Sequence, residues 1–376
     1  MQHHEDRTDR QRAAEAFWDR WALAGNDGAP RDGSGQIDIA AALGGASQSA
    51  RGILPFVHPG AHVLEIGSGV GRVLAHLAPY VGRAIGIDIS QVVVEESERV
   101  LAEFPNAEVL HGDGASLAGV EADSIDLVYS VLCLIHVDKR SAFRYLREIR
   151  RVLKPGGRAV LQFQNILSQR GFEHFQETAE NDFPFEFYTP EELRFLLRGA
   201  GLEVLGEHQN NEFIEVVVLR GRPDGWVREW RQGFKVDGIV RTGFFAPDGG
   251  DMAQKGRVDL TLVNTTDQWR TAEINASVHR RQGGRLARCY FADAVVFTPP
   301  QSRTVVAISY GGESRGLDLQ SAAEHVAFAT QRAEPLPDSG RVEVHLAIIP
   351  SGMRWNEDTA RLFPSCAHAW TLTGGG

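Results

Sequence analysis

Three closely spaced glycines and an aspartate have the spacing in this chain that best fits ligand chemistry. An apolar run at residues 62–66 leads into Gly67, Gly69 and Gly71, and a second apolar run ends in Asp88. Glycines at this spacing let a strand turn sharply into a helix and let a ligand approach the backbone. An acidic residue at the end of the next strand can bind the hydroxyl groups of a ribose. The sequence therefore predicts a nucleotide-like cofactor at the carboxyl ends of a parallel sheet.

The spacing of the glycines argues against a dinucleotide. The dinucleotide fingerprint Gly-x-Gly-x-x-Gly would need a glycine at position 72, where this chain has Arg72. An arginine there would crowd the start of the helix against a pyrophosphate. The Gly-x-Gly-x-Gly pattern instead resembles the first motif of the class I S-adenosylmethionine (SAM)-dependent methyltransferases.

Later segments resemble the same family in the same order. Asp88 is followed by a short strand and Asp113, then by a fourth strand that ends at Ser130, and then by Leu-Lys-Pro-Gly-Gly at 153–157 before a strong fifth strand. The resemblance covers roughly residues 50 to 220. It implies an α/β fold, in which a Rossmann-like seven-stranded sheet carries helices on both faces. It also implies SAM as the cofactor.

The resemblance assigns a part of SAM to each motif. The glycine loop would cradle the methionine part, Asp88 would bind the ribose and Asp113 the adenine, and the backbone after the fourth strand would meet the amino group. Two alternatives stay open: Glu65 binds the amino group through water or only satisfies loop backbone, and Asp113 binds adenine or only forms a turn. The predicted cofactor-binding residues are Glu65, Gly67, Ser68, Gly69, Gly71, Asp88, Ile89, Asp113, Gly114, Ser130 and Leu132.

Residues for the methyl acceptor are less clearly marked. His136 follows the fourth strand, where a neutral imidazole could take a proton from a hydroxyl or an amine, although it could equally be architectural. An N-terminal aromatic helix, the amides that end the fifth strand and an aromatic, acidic insertion after it are further candidates for the acceptor pocket. Their alternative role is packing or loop hydrogen bonding. The predicted pocket residues are Trp18, Trp21, Gln164, Asn165, Phe187 and Tyr188.

The segment after the fourth strand limits which kinds of methyl transfer we expect. Ser-Val-Leu-Cys stands at 130–133, where amino-group methyltransferases for adenine, cytosine or glutamine carry an Asn/Asp-Pro-Pro motif. We therefore expect methyl transfer to a small molecule, at oxygen or nitrogen. Two alternatives stay open: a protein or peptide side-chain methyltransferase, and a non-catalytic SAM-binding scaffold.

Composition limits the partners. The net charge of −10 speaks against nucleic acid, since phosphate binding needs a basic surface. The sequence has no apolar stretch of membrane-spanning length and begins with polar residues, so we expect no membrane association. Three scattered cysteines give no metal pattern and suit the cytoplasm.

The 376 residues predict more than one domain. We expect an N-terminal helical extension at 1–50, a SAM-binding domain at 51–221 and a β-rich domain at 222–376. Period-two alternation between turn clusters predicts an antiparallel β-sandwich for the last segment, which could form a homo-oligomer or wall off the substrate. Its basic residues Arg280, Arg281, Arg285 and Arg288 are interpreted as a solvated strand edge, or as a site for an anionic group of the substrate or for a partner.

Overall fold

The computed structural model describes most of the chain in two compact units. The first unit lies within Met1–Ile53 and Pro59–Trp226, and the second within Leu54–His58 and Val227–Gly376. The predicted three-part division stays a prediction. The described residues are 2–25, 29–181, 183–222, 234–242, 256–282, 285–310, 317–321, 326–333, 341–350 and 368–373.

Helices and strands alternate through the first unit. No helix in the described ranges is long and apolar enough to cross a bilayer. The elements are α1 (Gln2–Leu23), α2 (Ile39–Ile53), β1 (His62–Ile66), α3 (Arg72–Leu77), β2 (Arg83–Asp88), α4 (Gln91–Val100), β3 (Ala107–His111), β4 (Ile125–Ser130), α5 (Lys139–Val152), β5 (Leu153–Asn165), α6 (Gln169–Ala179), β6 (Phe187–Tyr188), α7 (Pro190–Gly199), β7 (Glu203–Gln209) and β8 (Phe213–Leu219). A 3₁₀ turn, Leu134–His136, lies between β4 and α5.

The strands form one mixed sheet in the order β3-β2-β1-β4-β5-β8-β7. The first five are parallel, and β8 is antiparallel to both β5 and β7. The predicted Rossmann-like sheet is thereby confirmed, and β7 and β8 close it as an antiparallel pair. Because β1 lies between β2 and β4, the chain order reverses there, and such a reversal opens a ligand crevice at the carboxyl ends of the strands.

The central strands are apolar because both of their faces are covered. Val63, Leu64 and Ile66 of β1 are fully buried. One core cluster joins the sheet to α5 through Leu146 and Ile149 and to α7 through Leu193 and Leu197. A parallel sheet buried in this way needs nearly continuous hydrophobic strands, as the sequence has.

Side-chain caps fix the start of two helices in this unit. The Ser90 side chain accepts a hydrogen bond from the Val93 N–H and begins α4, and the Thr189 side chain accepts one from the Glu192 N–H and begins α7. The Glu192 carboxylate forms an ion pair with Lys139, whose Nζ lies 2.9 Å away.

The segment expected to be a turn before the fifth strand is instead a bulge inside it. β5 already pairs with β4 at Leu153, and the register shifts before Arg158. Gly156 has φ 81°, in the left-handed region, and its N–H bonds the Arg220 carbonyl at 2.8 Å. Glycine lets the backbone take this conformation without leaving the sheet.

A two-residue strand, β6, was not expected. It pairs in parallel with the end of β5, so that Gln164 lies opposite Phe187 and Asn165 opposite Tyr188. The chain that leaves β5 thus returns to the same strand after α6.

The second unit contains two antiparallel sheets, in the orders β14-β13-β10-β9 and β15-β12-β11-β16-β17. Their packing as a sandwich stays a prediction. The interpretation of Arg280 and Arg281 as a strand edge was wrong, because β11 pairs with a neighbour on each side of them. The strands are β9 (Phe234–Thr242), β10 (Gly256–Asn264), β11 (Arg270–Gln282), β12 (Arg285–Thr298), β13 (Ser302–Tyr310), β14 (Leu317–Ser321), β15 (Val326–Ala333), β16 (Arg341–Pro350) and β17 (His368–Thr373).

Candidate active site

The glycine loop turns between β1 and α3 and comes close to the chain after β4. Gly67, Gly69 and Gly71 all have φ in the left-handed region, at 72°, 52° and 79°. A Cβ at Gly67 would lie 2.2 Å from the Cys133 Sγ, whereas a Cβ at Gly69 would meet nothing within 4 Å. Gly67 is therefore required by packing and conformation, and Gly69 leaves open space above the loop.

Asp88 ends β2 beside this loop, and its carboxylate is held by two backbone N–H groups. Its Oδ2 accepts from the Gly69 N–H at 2.8 Å, and its Oδ1 accepts from the Ser90 N–H at 3.0 Å. Burial raises the pKa of this carboxyl above its usual range, against the effect of these hydrogen bonds. Each oxygen keeps a further lone pair for a hydroxyl donor.

Glu65 lies beneath the loop and is buried. Its Oε2 accepts a hydrogen bond from the Tyr129 hydroxyl at 3.1 Å. Burial raises the pKa of Glu65 to about 8. A neutral carboxyl in this position becomes a carboxylate when a cation approaches it.

Asp113 has the turn-forming role that its sequence context left open. Its Oδ1 accepts from the Ala115 and Ser116 N–H groups at 2.9 and 2.6 Å. The side chain is exposed and also contributes to the cavity wall described below. Gly114 follows it with φ 72°, and a Cβ there would lie 2.6 Å from the Ile89 Cδ1. Gly114 thus allows the loops after β2 and β3 to approach each other.

The chain after β4 is fixed by its polar groups. The Ser130 hydroxyl donates to the Ile66 carbonyl at 3.1 Å, which joins the ends of β4 and β1. Leu132 has φ 55° and donates its N–H to the Gln162 Oε1 at 3.1 Å, and its side chain is 54% exposed. Burial raises the pKa of the neighbouring Cys133 thiol to about 12, so this cysteine is a poor nucleophile.

A cavity of about 780 Å³ collects most of these residues. Such a volume lies in the range of roughly 300–1,000 Å³ that is usual for ligand sites. Two predicted cofactor residues, Gly71 and Ser130, do not line it. The predicted residues that line it are Glu65, Gly67, Ser68, Gly69, Asp88, Ile89, Asp113, Gly114, Leu132, His136, Trp18 and Trp21.

The neutral ring of His136 is held in one tautomer. Its Nδ1 lies 2.7 Å from the Pro184 carbonyl, which can only accept, so Nδ1 carries the hydrogen. Burial lowers the pKa of His136 below its usual value. The ring is therefore neutral near pH 7, with the Nε2 lone pair free to act as a base.

α1 brings two of the predicted pocket residues to the cavity. The Trp18 ring lies 5.1 Å from the His136 ring, and the Trp21 ring lies 4.8 Å from the Phe183 ring. Asp19, on the same helix, accepts a hydrogen bond from the Ser90 hydroxyl at 2.6 Å. α1 is thus tied to the start of α4. The sequence alone gives no signal for this pairing of residues 71 positions apart.

The other four predicted pocket residues do not line this cavity. Gln164 is fully buried with its Nε2 2.9 Å from the His174 Nδ1, and the Asn165 Oδ1 accepts from the Leu167 N–H at 3.0 Å. The Phe187 ring packs 5.4 Å from the Phe175 ring, and Tyr188 is almost completely buried. These residues support the segment between β5 and β6.

The cavity also contains charged residues that sequence reasoning missed. Arg140 and Arg144 of α5 line it, and Arg72 of α3 does so as well. The available signal was the four-residue spacing of the first two, which places them on one face of a helix.

The comparisons with known proteins concern the part of the chain that forms this cavity. Residues 64–161 match the family described as "Methyltransferase domain". This segment is a methyltransferase domain. It contains β1 to β5 and most of the loops at their carboxyl ends, so the predicted family is confirmed for the region that carries the motifs.

Three relatives match part of the chain. An uncharacterized 37.1 kDa protein in transposon TN4556 of Streptomyces fradiae is 44% identical over 27% of this chain and 30% of its own length. The O-methyltransferase cnsE of Penicillium expansum is 32% identical over 39% of this chain and 53% of its own length. A phosphoethanolamine N-methyltransferase of Triticum aestivum is 29% identical over 27% of this chain and 20% of its own length. The chain thus spans about half or less of the length of these relatives.

Proposed function

We propose that this protein transfers a methyl group from SAM to a small molecule, at oxygen or nitrogen. The carrying observation is that the glycine loop, Asp88 and Asp113 line one cavity together with His136 and the aromatic face of α1. The matched methyltransferase domain supports the reaction class. The O-methyltransferase and N-methyltransferase names among the relatives support a small acceptor.

The residues present fit SAM. The open space above Gly69 accepts a bulky ligand against the backbone, and Asp88 offers free lone pairs to a ribose diol. The buried carboxyl of Glu65 lies where a cationic amino group would ionise it. The exposed Asp113 keeps acceptor capacity on Oδ2 beyond its contact with Ser116. When bound, SAM supplies a methyl group that is activated by a positively charged sulfur.

The protein's own contribution is positioning and removal of a proton. Displacement at the methyl carbon requires the nucleophile in line with the leaving sulfur, so a rigid cavity lowers the barrier by orientation. Trp18 and Trp21 would exclude water from the acceptor. The Nε2 of His136 can take the proton that a hydroxyl or an amine loses, while its Nδ1–H stays bonded to Pro184.

Thermal unfolding with S-adenosylhomocysteine (SAH), the product of SAM, tests the proposal. A ligand that binds only the folded protein stabilises it by about 2.7 kcal/mol at 100 times its Kd, so the melting temperature should rise. Asp88→Ala should abolish the rise, because the ribose contacts are lost. Glu121→Ala, an exposed position outside the cavity, should leave it unchanged.

The outcomes separate the alternatives. A wild-type protein that does not respond to SAH would refute both methyltransferase readings. Binding of SAH without methylation of small acceptors, but with methylation of peptides, would favour the peptide alternative. An unchanged response in Asp88→Ala would refute the ribose contact alone.

A further inference from the structure

The part of the cavity wall that α5 contributes is rich in hydrogen-bond donors and positive charge. Arg140 and Arg144 are four positions apart near the start of the helix, so their side chains leave from the same face. Ser141 lies between them in the sequence, and its hydroxyl is 3.4 Å from the Arg144 Nη1.

These two arginines are not neutralised by protein carboxylates. Elsewhere in this unit Arg151 pairs with Glu148 and Arg194 pairs with Glu207, each at 2.7 Å. No ion pair of Arg140 or Arg144 occurs within the ranges of the chain that the structure describes. An arginine pair that lines a cavity without a counter-ion is suited to an anionic ligand.

The carboxylate of Asp138, at the start of α5, does not neutralise Arg140 and Arg144. Asp138 lines the cavity too, but its Oδ1 accepts hydrogen bonds from the Arg140 and Ser141 N–H groups at 3.1 and 3.2 Å. Asp138 is therefore the cap of α5, and its charge is directed at the helix start.

α1 adds a donor that has no partner. Gln11 lines the cavity, and its Nε2 is buried without a hydrogen-bond acceptor among the residues that the structure describes. An unsatisfied buried donor is costly, by roughly 1–3 kcal/mol, and a ligand acceptor recovers this cost once the Gln11 amide turns towards the cavity. This observation is independent of the arginines and points to the same chemistry.

We propose that the methyl acceptor carries a carboxylate or a phosphate group, which Arg140 and Arg144 bind and to which Gln11 donates. His136 lies four residues before Arg140 in the sequence and lines the same cavity. The anionic group would therefore fix the acceptor while its nucleophile faces the Nε2 of His136. This inference rests on the proposed function, because it assigns the acceptor of that reaction.

Calorimetric titration of the SAH-loaded protein tests the proposal with small aromatic probes. Phenyl phosphate or benzoate should bind, whereas the neutral phenol and benzamide should bind roughly tenfold more weakly or not at all. Replacing both arginines, Arg140→Ala with Arg144→Ala, should weaken binding of the anion by roughly tenfold or more. Arg147→Ala is the matched control, because Arg147 is exposed on the same helix and does not line the cavity.

A second variant keeps the test informative if the double variant folds poorly. Gln11→Glu preserves size but adds a carboxylate to the wall of the same cavity, so it too should weaken binding of the anions while neutral probes are unaffected. Equal binding of anionic and neutral probes, or no binding of either anion by the wild type, overturns the proposal.

The affinity for SAH separates this inference from the proposed function. We expect the SAH Kd of every variant to stay within roughly twofold of the wild type. A large loss of SAH binding in the double variant would show that the arginines hold the cofactor, which overturns the inference and leaves the methyltransferase function standing. A wild type that does not bind SAH would refute the function itself.

Discussion

At the scale of single residues, the geometry of His136 suits a general base but does not identify the substrate. The Nδ1–H bond to Pro184 leaves only Nε2 to act on an acceptor, and burial keeps the ring neutral. A catalytic and an architectural histidine would look the same from the sequence, since both follow the fourth strand. A catalytic histidine acts through Nε2, whereas an architectural one needs only the Nδ1–H bond to Pro184.

One substitution of His136 distinguishes the roles of its two nitrogens. His136→Asn keeps a donor near the position of Nδ1 and removes Nε2, and we expect it to reduce kcat by about 10²- to 10⁴-fold. The variant should still bind SAH, because the fold and the bond to Pro184 are kept. An architectural role would leave kcat of this variant near that of the wild type.

The pH dependence of the same step has a fixed direction. A base acts only when unprotonated, and the pKa of His136 is lowered by burial. We expect kcat/KM to fall on the acid side, below the ordinary histidine pKa of about 6.5. A rate that continues to fall from pH 8 to pH 6.5 would contradict this assignment.

Gly67 and Gly69 offer a matched pair of substitutions in one loop. Both have a left-handed φ, but only a Cβ at position 67 meets the Cys133 side chain. We expect Gly67→Ala to lower the free energy of unfolding by about 1–3 kcal/mol more than Gly69→Ala, because overpacking adds to the shared strain. Urea unfolding of the two variants without ligand measures the difference, and equal values would contradict the close approach.

At the scale of elements, the sequence predicts those structural features whose physical cause lies within a few residues. The caps Ser90 and Thr189 depend on a few neighbouring residues, so the sequence around each of them contains the signal. β6 was missed because two residues give no periodicity, and the bulge at Gly156 was read as a turn because glycine marks both. Gln164 and Asn165 were assigned to the pocket from their place at a strand end, yet β6 and α6 cover them.

The link between α1 and α4 is an element-scale feature that can be tested. Asp19 accepts from the Ser90 hydroxyl at 2.6 Å and places a carboxylate at the start of α4. We expect Asp19→Ala to cost about 0.5–2 kcal/mol and to make α1 more susceptible to limited proteolysis. Asp19→Asn retains an acceptor oxygen and should resemble the wild type. Unchanged cleavage of α1 in the alanine variant would show that its aromatic side chains alone hold it in place.

At the scale of the whole molecule, the buried Glu65 affects stability as a function of pH. Its pKa is raised to about 8, so the unfolded chain releases this proton at lower pH than the folded protein does. The stabilisation is complete below about pH 4.5 and is lost as the pH rises towards 8. Burial of a carboxyl therefore makes the ligand-free protein less stable in mildly alkaline solution.

Glu65→Gln removes this titration while preserving size. We expect the variant to gain stability relative to the wild type between pH 5 and pH 8, as measured by urea unfolding without ligand. Asp88 also has a raised pKa, but it is present in both proteins and cancels in the difference. A difference between the two proteins that does not change with pH would contradict the raised pKa.

The sequence predicted the part of the site for the methyl donor better than the part for the methyl acceptor. The donor half depends on glycines and acids at strand ends, and strand ends are readable from apolar runs. The acceptor half depends on which faces of α1 and α5 meet the cavity, and this follows from tertiary packing. Arg140 was therefore overlooked, although Trp18 was found through its aromatic neighbours.

The chain leaves β5 and returns to the same strand, so the segment between Ile166 and Tyr188 and the sheet that carries it can evolve at different rates. The Ile166 N–H bonds the Tyr188 carbonyl at 3.1 Å, so the chain enters and leaves the intervening segment at one place. A loop whose ends meet can be exchanged for another of different length with little disturbance of its base. A loop grafted between these two residues would also replace Pro184, whose carbonyl fixes the Nδ1–H of His136, so the graft has to supply an equivalent acceptor at that place.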